Sequence, residues 1–466
     1  MSIDRRGAAR PRPVGVLALR SLFLAVSCLA WGRPVCGQQV DAAPRDSVFA
    51  GALARGLTRA ATLQPANAAP DGAKAQSEIP WPSGFMQHWN EYNFGFTTFL
   101  WGAAILEDYS SYNQDSASAA HFDLERQGKI RDSRFMLFGR LHTARPISWQ
   151  SGIMFDWPTW KWKIRTSFIA VGVPEISSTF QIGRIKEGIS LNRVIGGYDG
   201  WTSERFTFSD AAIPLLADGV KWMGYVPDKH VLWNLGVYTD FLSKAESFSY
   251  YRQQAVGRVA YVRANSLTDG KLLHLGAALH VGQPEHDTLQ LKSKPEVFAG
   301  PNFIDTGKFP ATLGTIGGLE AYYRSGSWLF GTEYYLEQAR STEAGNPIFH
   351  GGDVFVSWNI TGETRPYSAP MGTFKAVSPK RPVFQGGPGA WEAVFRVSNI
   401  DLNSDSLSGG QLLRITPMVN WHLNDQARLE LSYGVGFLDR FGVHSTTEFF
   451  QARVQLQFTK LSEASD

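Results

Sequence analysis

Of 466 residues only two are cysteine, Cys28 and Cys36, and both fall in the first forty or so positions. If that segment is removed, a disulfide scaffold, a cysteine-ligated zinc site and a thiol enzyme are all excluded. Charged residues are scarce too, at 19%, against about 25% in soluble domains. Beyond the N-terminus, no run reaches the 18 or so apolar residues of a membrane-crossing helix. The nearest approach, Tyr92 to Leu106, is interrupted by Asn93, Thr97 and Thr98 and alternates like a strand. The net charge of +3 is too mild to argue for nucleic acid or any other partner.

What is present points to export. Arg5, Arg6, Arg10, Arg12 and Arg20 precede a short apolar stretch, Ser21 to Trp31. A basic segment followed by so short an apolar core predicts a secretory signal peptide over residues 1–37, with cleavage after Ala30 or Gly37. Ala25, Val26 and Ser27 before Cys28 make a weak lipoprotein motif. Residues 38–80, rich in Ala, Pro, Gln and Asp without a sustained period, read as a flexible periplasmic leader. One short helix is expected there around Val48 to Leu63. From Trp81 to Phe458 the character is constant, so 81–458 is one domain, and 459–466 is a short C-terminal extension.

Within that domain apolar and polar residues alternate between clusters of Gly, Asn, Asp, Ser and Pro, the pattern of strands and turns. In Trp391 to Ser398 one face carries Trp391, Ala393, Phe395 and Val397 and the other Glu392, Val394, Arg396 and Ser398. Leu413, Ile415, Val419 and Trp421 likewise oppose Arg414, Thr416, Asn420 and His422. Leu429, Leu431, Tyr433 and Phe437 oppose Arg428, Glu430 and Ser432. Phe450, Val454, Leu456 and Phe458 oppose Gln451, Arg453, Gln455 and Gln457. Val231 to Phe241, His274 to Val281, Trp328 to Leu336 and Val354 to Ile360 repeat the scheme.

Such alternation also suits a soluble sandwich. Segments of about ten residues, aromatics near their ends and a polar second face favour a transmembrane barrel instead. Because hydrocarbon offers backbone amides no partner, the strands must close on themselves. The expected fold is all-β: a transmembrane antiparallel β-barrel of about sixteen strands around a polar, water-filled lumen.

Several short motifs occur in order along the chain: Gly183-Arg184-Ile185-Lys186-Glu187 with Ser190-Leu191, His274-Leu275-Gly276-Ala277-Ala278, and Thr361-Gly362-Glu363 before Arg365-Pro366-Tyr367. Gly389-Ala390-Trp391-Glu392, Asn420-Trp421-His422-Leu423-Asn424 and the final Arg453 to Phe458 complete them. In these the chain resembles the phosphate-selective porin O and P family of outer-membrane anion porins. The resemblance implies a sixteen-stranded barrel, usually a homotrimer, selective for anions of the phosphate or polyphosphate class. It also implies a loop folded inward to constrict the pore. The chain departs from the family at Gly188, where proline is usual, and by continuing past Phe458, the aromatic residue that the barrel-assembly machinery would recognise.

An anion pore needs fixed positive charge in a narrow passage. Trp160 to Arg165 would place Lys161, Lys163 and Arg165 towards water and Trp160, Trp162 and Ile164 towards outer-membrane lipid, unless the segment is a solvated loop. Gly188 to Gly219 is long enough for a functional loop. Its Arg193 and Arg205, with Arg184 and Lys186 beside it, are the candidate constriction charges, and Glu204 and Asp210 would fix it to the wall. Arg396, Arg414, Arg428 and Arg453 would form a basic stripe on one wall, unless carboxylates such as Glu392 and Glu430 neutralise it. No cofactor, metal-ligand or nucleophile pattern stands out; a lone His422 on a polar strand face reads as pore lining. The expected function is passive diffusion of small hydrophilic solutes, preferring anions. The alternatives are a general or weakly cation-selective pore and a plugged, non-conducting barrel.

Overall fold

A computed structural model describes residues 90–157, 159–241, 251–404 and 406–458. The expected signal peptide, leader, leader helix and C-terminal extension lie outside the described residues. A three-residue strand, β1 (Glu91–Asn93), precedes β2 (Thr97–Gln114), β3 (Gln127–Leu141), β4 (Ile147–Asp156), β5 (Lys161–Val173) and β6 (Ser178–Lys186). Then come β7 (Leu216–Val226), β8 (Val231–Thr239), β9 (Tyr251–Ala264) and β10 (Lys271–Pro284). Four two-residue strands follow: β11 (Thr288–Leu289), β12 (Lys292–Ser293), β13 (Ile304–Asp305) and β14 (Phe309–Pro310). The wall resumes with β15 (Leu313–Ser325), β16 (Trp328–Arg340) and β17 (Ile348–Asn359). Two more short strands, β18 (Tyr367–Ser368) and β19 (Thr373–Phe374), precede β20 (Ala390–Ser404), β21 (Leu407–His422), β22 (Ala427–Arg440) and β23 (Val443–Gln457).

Sixteen of these strands form the wall, each antiparallel to its neighbours, and β23 closes on β2 from Ala104↔Gln457 to Gln114↔Thr447. Closure pairs the edge amides that hydrocarbon would otherwise leave unpaired. Where β23 stops, β1 takes over its place beside β2, and Asn90 Nδ2 bridges the carbonyls of Trp101 (2.6 Å) and Phe458 (3.4 Å).

The outer face is apolar around the circumference: Leu275, Leu279, Leu319, Leu336, Val354, Phe395, Leu413 and Leu431 are all exposed. A soluble monomer would not present so continuous a patch, whereas lipid requires it. Where β16 begins and β17 ends, Trp328 stacks on Trp358 at 5.1 Å. At the same end of the wall Trp391 stacks on Trp421 at 4.9 Å, as in an interfacial girdle.

The two ends of the barrel differ. Where β2 begins and β23 finishes, links such as 142–146, 174–177, 227–230, 326–327 and 423–426 are short, but 360–389 is long. The opposite end carries the long connections 187–215 and 285–312. In outer-membrane barrels short turns face the periplasm and long loops the exterior.

The inward face differs from the expectation of polarity along its whole length. Phe206, Phe208 and Ile213 of connection 187–215 and Val297, Phe303 and Ile304 of 285–312 pack with wall residues Tyr335, Phe349 and Leu412. Nearer the short-turn end, Tyr367, Ala369 and Phe374 of 360–389 pack with Trp201, Leu272, Tyr322, Leu329 and Phe355. Inward positions on β6–β10 and β15–β21 therefore supply an apolar core to these segments, and the period-two pattern carries no sign of it.

Candidate functional site

Three inward segments are pinned to the wall by buried carboxylates. The first, 187–215, opens with a short helix, Leu191–Val194, capped by Ser190. Glu333 accepts from Ser190 Oγ (2.5 Å) and Asn192 N (2.7 Å), and Glu320 from Leu191 N (3.0 Å). Arg258 and His274 hold Glu320, each at 2.7 Å. The second segment, 285–312, contributes Glu296, which accepts from Thr207 N (3.2 Å) on the first segment. Arg396 and Ser398 of the wall also donate to Glu296, and Arg414 lies at 3.5 Å. In the third, 360–389, Arg365 pairs with Glu392 at 2.7 Å, and Glu392 also contacts Asn420, His422 and Ser357.

These contacts relocate the charges expected to form a basic stripe. Arg396, Arg414, Arg428 and Arg453 do point inward, but each is at most 5% exposed and faces a carboxylate. Arg396 and Arg414 face Glu296, Arg428 faces Glu430, and Arg453 faces Asp108 and Glu204. The neutralising pairing left open by the sequence is the arrangement present, and it arises because inward segments cover these side chains and desolvate them. His422 likewise belongs to the Glu392 cluster inside the barrel.

Space remains on the other side, between the first two segments and the wall made by β3, β4 and β5. Two cavities lie there, of about 120 Å³ and about 390 Å³, sharing Arg131, Glu204, Arg205 and Asp210. The smaller is faced by Arg131, Arg134, Arg165, Arg193, Arg205 and Arg453 against three carboxylates, Asp132, Glu204 and Asp210. The larger is faced by Arg131, Lys163, Arg205 and Lys294 against Asp156, Glu204, Asp210 and Glu296.

Local structure explains these placements. The β4–β5 pairing shifts register between Gly152 and Ile153, leaving Arg165 as the extra residue on β5. The bulge changes the phase of β5: Trp162 and Ile164 face outward on one side of it and Ile169 on the other. Lys163 pairs with Asp156 at 2.7 Å. Arg134 pairs with Asp132 and lies over the Tyr198 ring at 4.7 Å. Arg205 donates to the carbonyls of Asn192 (2.8 Å) and Ile195 (3.4 Å), and Arg193 to that of Asp210 (3.3 Å).

Glu204 fixes the first segment to the wall, as the sequence suggested, through Arg131 at 2.7 Å and Arg453. Burial opposes its charge, but the two guanidinium groups outweigh burial and hold its carboxyl well below the usual range. Burial, followed by the like charges of Arg193 and Arg131, pushes Arg205 down from its ordinary value. Asp210 accepts from Ser293 Oγ of the second segment at 3.1 Å.

Of the expected constriction residues, Arg165, Arg193, Arg205 and Lys163 thus border the cavities. The other three do not. Lys186 donates to the carbonyls of Val194 (2.8 Å) and Ile195 (2.7 Å), holding the start of the first segment. Arg184 is buried 3.8 Å from Asp218, and Lys161 is exposed at the start of β5. The connection runs 187–215 rather than 188–219 because β7 begins at Leu216. Arg131, Arg134 and Lys294 were not singled out in the sequence. β3 lacks the clean alternation that marks the last four strands, and the length of 285–312 was the available sign that this segment, too, has a role.

A closed sixteen-stranded barrel with an apolar outer belt and loops folded into its interior is the architecture of an outer-membrane porin. A family model described as phosphate-selective porin O and P matches residues 215–458, more than half of the chain, and the chain belongs to that family. An uncharacterized protein of Caulobacter vibrioides is 31% identical over 183 residues, 38% of this chain and 36% of the relative. The match therefore spans little more than a third of that relative. Among solved structures, the outer-membrane expressed OmpT of Vibrio cholerae is 11% identical, covering 79% of this chain and 100% of that one, at TM-score 0.49. An anion-selective porin from Comamonas acidovorans is 10% identical, covering 78% and 100%, at TM-score 0.47.

Proposed function

We propose that the chain is a bacterial outer-membrane porin that lets small hydrophilic solutes diffuse passively and prefers anions, of the phosphate or polyphosphate class. The solute route runs through the two cavities beside β3–β5, with Arg165, Arg193 and Arg205, joined by Arg131 and Arg134, as the selecting charges. One observation carries this reading: six guanidinium groups face three carboxylates around the narrower cavity. In a narrow, partly dewetted passage such an excess favours anions, and guanidinium forks match oxyanion geometry. Catalysis plays no part in this reading.

The larger cavity supports a second reading, a general diffusion pore, because cations and carboxylates are equal in number there. Export through a cleaved signal peptide, read from the N-terminal residues, insertion by the barrel-assembly machinery, and the homotrimer that the family implies belong to the same proposal.

Reversal potentials in a KCl gradient test it. The wild-type pore should favour chloride, Arg165→Gln with Arg205→Gln should move the potential towards that of a cation pore, and Glu204→Gln should move it the opposite way. Unchanged potentials in folded variants would return the pore to the general class, and absence of conductance would make the barrel a plugged scaffold.

A further inference from the structure

The larger cavity holds more than charge. Ile130, Met154, Phe155, Trp157, Val297 and Phe298 border it. Phe298 lies on the second inward segment, with the Arg131 guanidinium 4.5 Å from its ring centroid and the Lys294 ammonium 4.7 Å from it. Lys294 also donates to the Phe298 carbonyl, which fixes the cation over the ring. At the end of β4, Phe155 packs edge to face with Trp157 at 4.8 Å and against the outward Trp162 at 5.3 Å, an aromatic cluster that backs the cavity wall from outside. Trp157 is held by its indole N–H on Ser133 Oγ at 3.0 Å.

An apolar, aromatic vestibule is a poor surface for a small inorganic anion. Such an ion keeps most of its water and gains nothing from Phe298, Met154 or Val297. A cavity of about 390 Å³ that sets six apolar residues beside four cations and four carboxylates instead has the make-up of an organic-ligand pocket. The adjoining cavity, at about 120 Å³ and ringed by arginine, suits the charged head of the same molecule. Glu204, Arg205, Arg131 and Asp210 border both spaces, so a solute lying across the boundary touches both kinds of lining.

We infer that the preferred solutes are organic anions carrying an aromatic or compact apolar body beside a carboxylate or similar oxyanion head. The body rests against Phe298, Met154 and Val297 in the vestibule, while the head faces Arg131, Arg165 and Arg205. Burying a ring against Phe298 and its two cations contributes beyond the charge alone. This rests on the anion preference proposed above and puts an organic anion in place of the phosphate class that the family suggests.

The test uses the full chain refolded into planar bilayers, with chloride carrying the current and benzoate, acetate and inorganic phosphate as blockers. Benzoate should reach half-block at about tenfold lower concentration than acetate, the worth of one favourable aromatic contact. Phe298→Ala should remove most of that advantage, and Phe298→Tyr, which keeps the ring, should retain it. If the pore prefers chloride over potassium but phosphate blocks best, or benzoate and acetate block alike, the organic-anion assignment fails and the anion pore stands. If Phe298→Ala leaves the benzoate advantage intact, the vestibule is not where the body binds. A pore preferring potassium would remove the underlying reading as well.

Discussion

Arg365 Nη2 donates to both carboxylate oxygens of Glu392, at 2.7 and 2.9 Å, between residues 27 positions apart in the chain. Neither side chain is more than 1% exposed. The pair ties the start of the 360–389 segment to β20, the strand that follows it. Arg365 reaches further, to the carbonyls of Asp199 (2.7 Å) on the first inward segment and Lys375 (3.0 Å). One guanidinium therefore joins the plug at the short-turn end to the loop entering from the other end.

Removing one partner of a buried pair leaves the other charge without compensation, at a cost of about 3–5 kcal/mol. We predict that Arg365→Ala lowers the temperature at which the folded, fast-migrating gel form is lost. Single-channel conductance should rise, because the plug no longer holds its place. Arg365→Gln combined with Glu392→Gln removes both charges and should be milder. Equal conductance and melting in all three proteins would show that the plug is held by its apolar contacts alone.

The backbone at Gly188 makes a different prediction. Its φ is +87°, and a Cβ there would lie 1.9 Å from Asn234 Nδ2. Proline, usual at this place in the family, fixes φ near −65° and is incompatible with this path of the chain. Gly188→Pro should therefore sharply reduce the yield of folded barrel. Gly188→Ala should cost about 1–2 kcal/mol for the left-handed backbone, and more if Asn234 does not move aside. Semi-native electrophoresis with and without boiling reads both effects, and normal folding of the proline variant would refute the assigned backbone.

Much of the wall was legible in the chain because lipid imposes one rule on every strand. Leu413, Leu431, Phe395 and Phe450 face outward as their alternation required, and β20 to β23 have the inward sets read from them. The interior was less legible, because an inward position is chosen by what covers it. Val394, Leu272 and Tyr322 face the lumen side yet are apolar, since a folded-in segment packs against them. Arg396 and Glu296 are 100 residues apart and Arg453 and Asp108 are 345 apart, and no local pattern reports such a pairing. The first inward segment was visible from its length and its Arg and Glu content; β3 and its arginines were not, because their alternation is broken.

Glu187 supplies a pH dependence whose direction is fixed by its surroundings. It sits just past β6, is fully buried, and accepts from Gln254 Nε2 at 3.1 Å. Burial raises its carboxyl to about 8, against smaller opposing effects of Gln254, Arg193 and Arg184. In the unfolded chain a glutamate titrates near ~4.3. The folded state therefore holds the proton more tightly. Its stabilising contribution is complete below the unfolded value, declines above it, and is lost as pH rises through about 8. The effect is on the order of a few kcal/mol between pH ~5 and ~9. Urea unfolding of the barrel in detergent should thus show a midpoint falling across that interval. Glu187→Gln keeps the shape without the titration, and should flatten that fall and raise the midpoint at the alkaline end. A wild-type midpoint that does not fall between those limits, or a variant that follows the wild type throughout, would place Glu187 in contact with water and overturn its burial behind the inward segment.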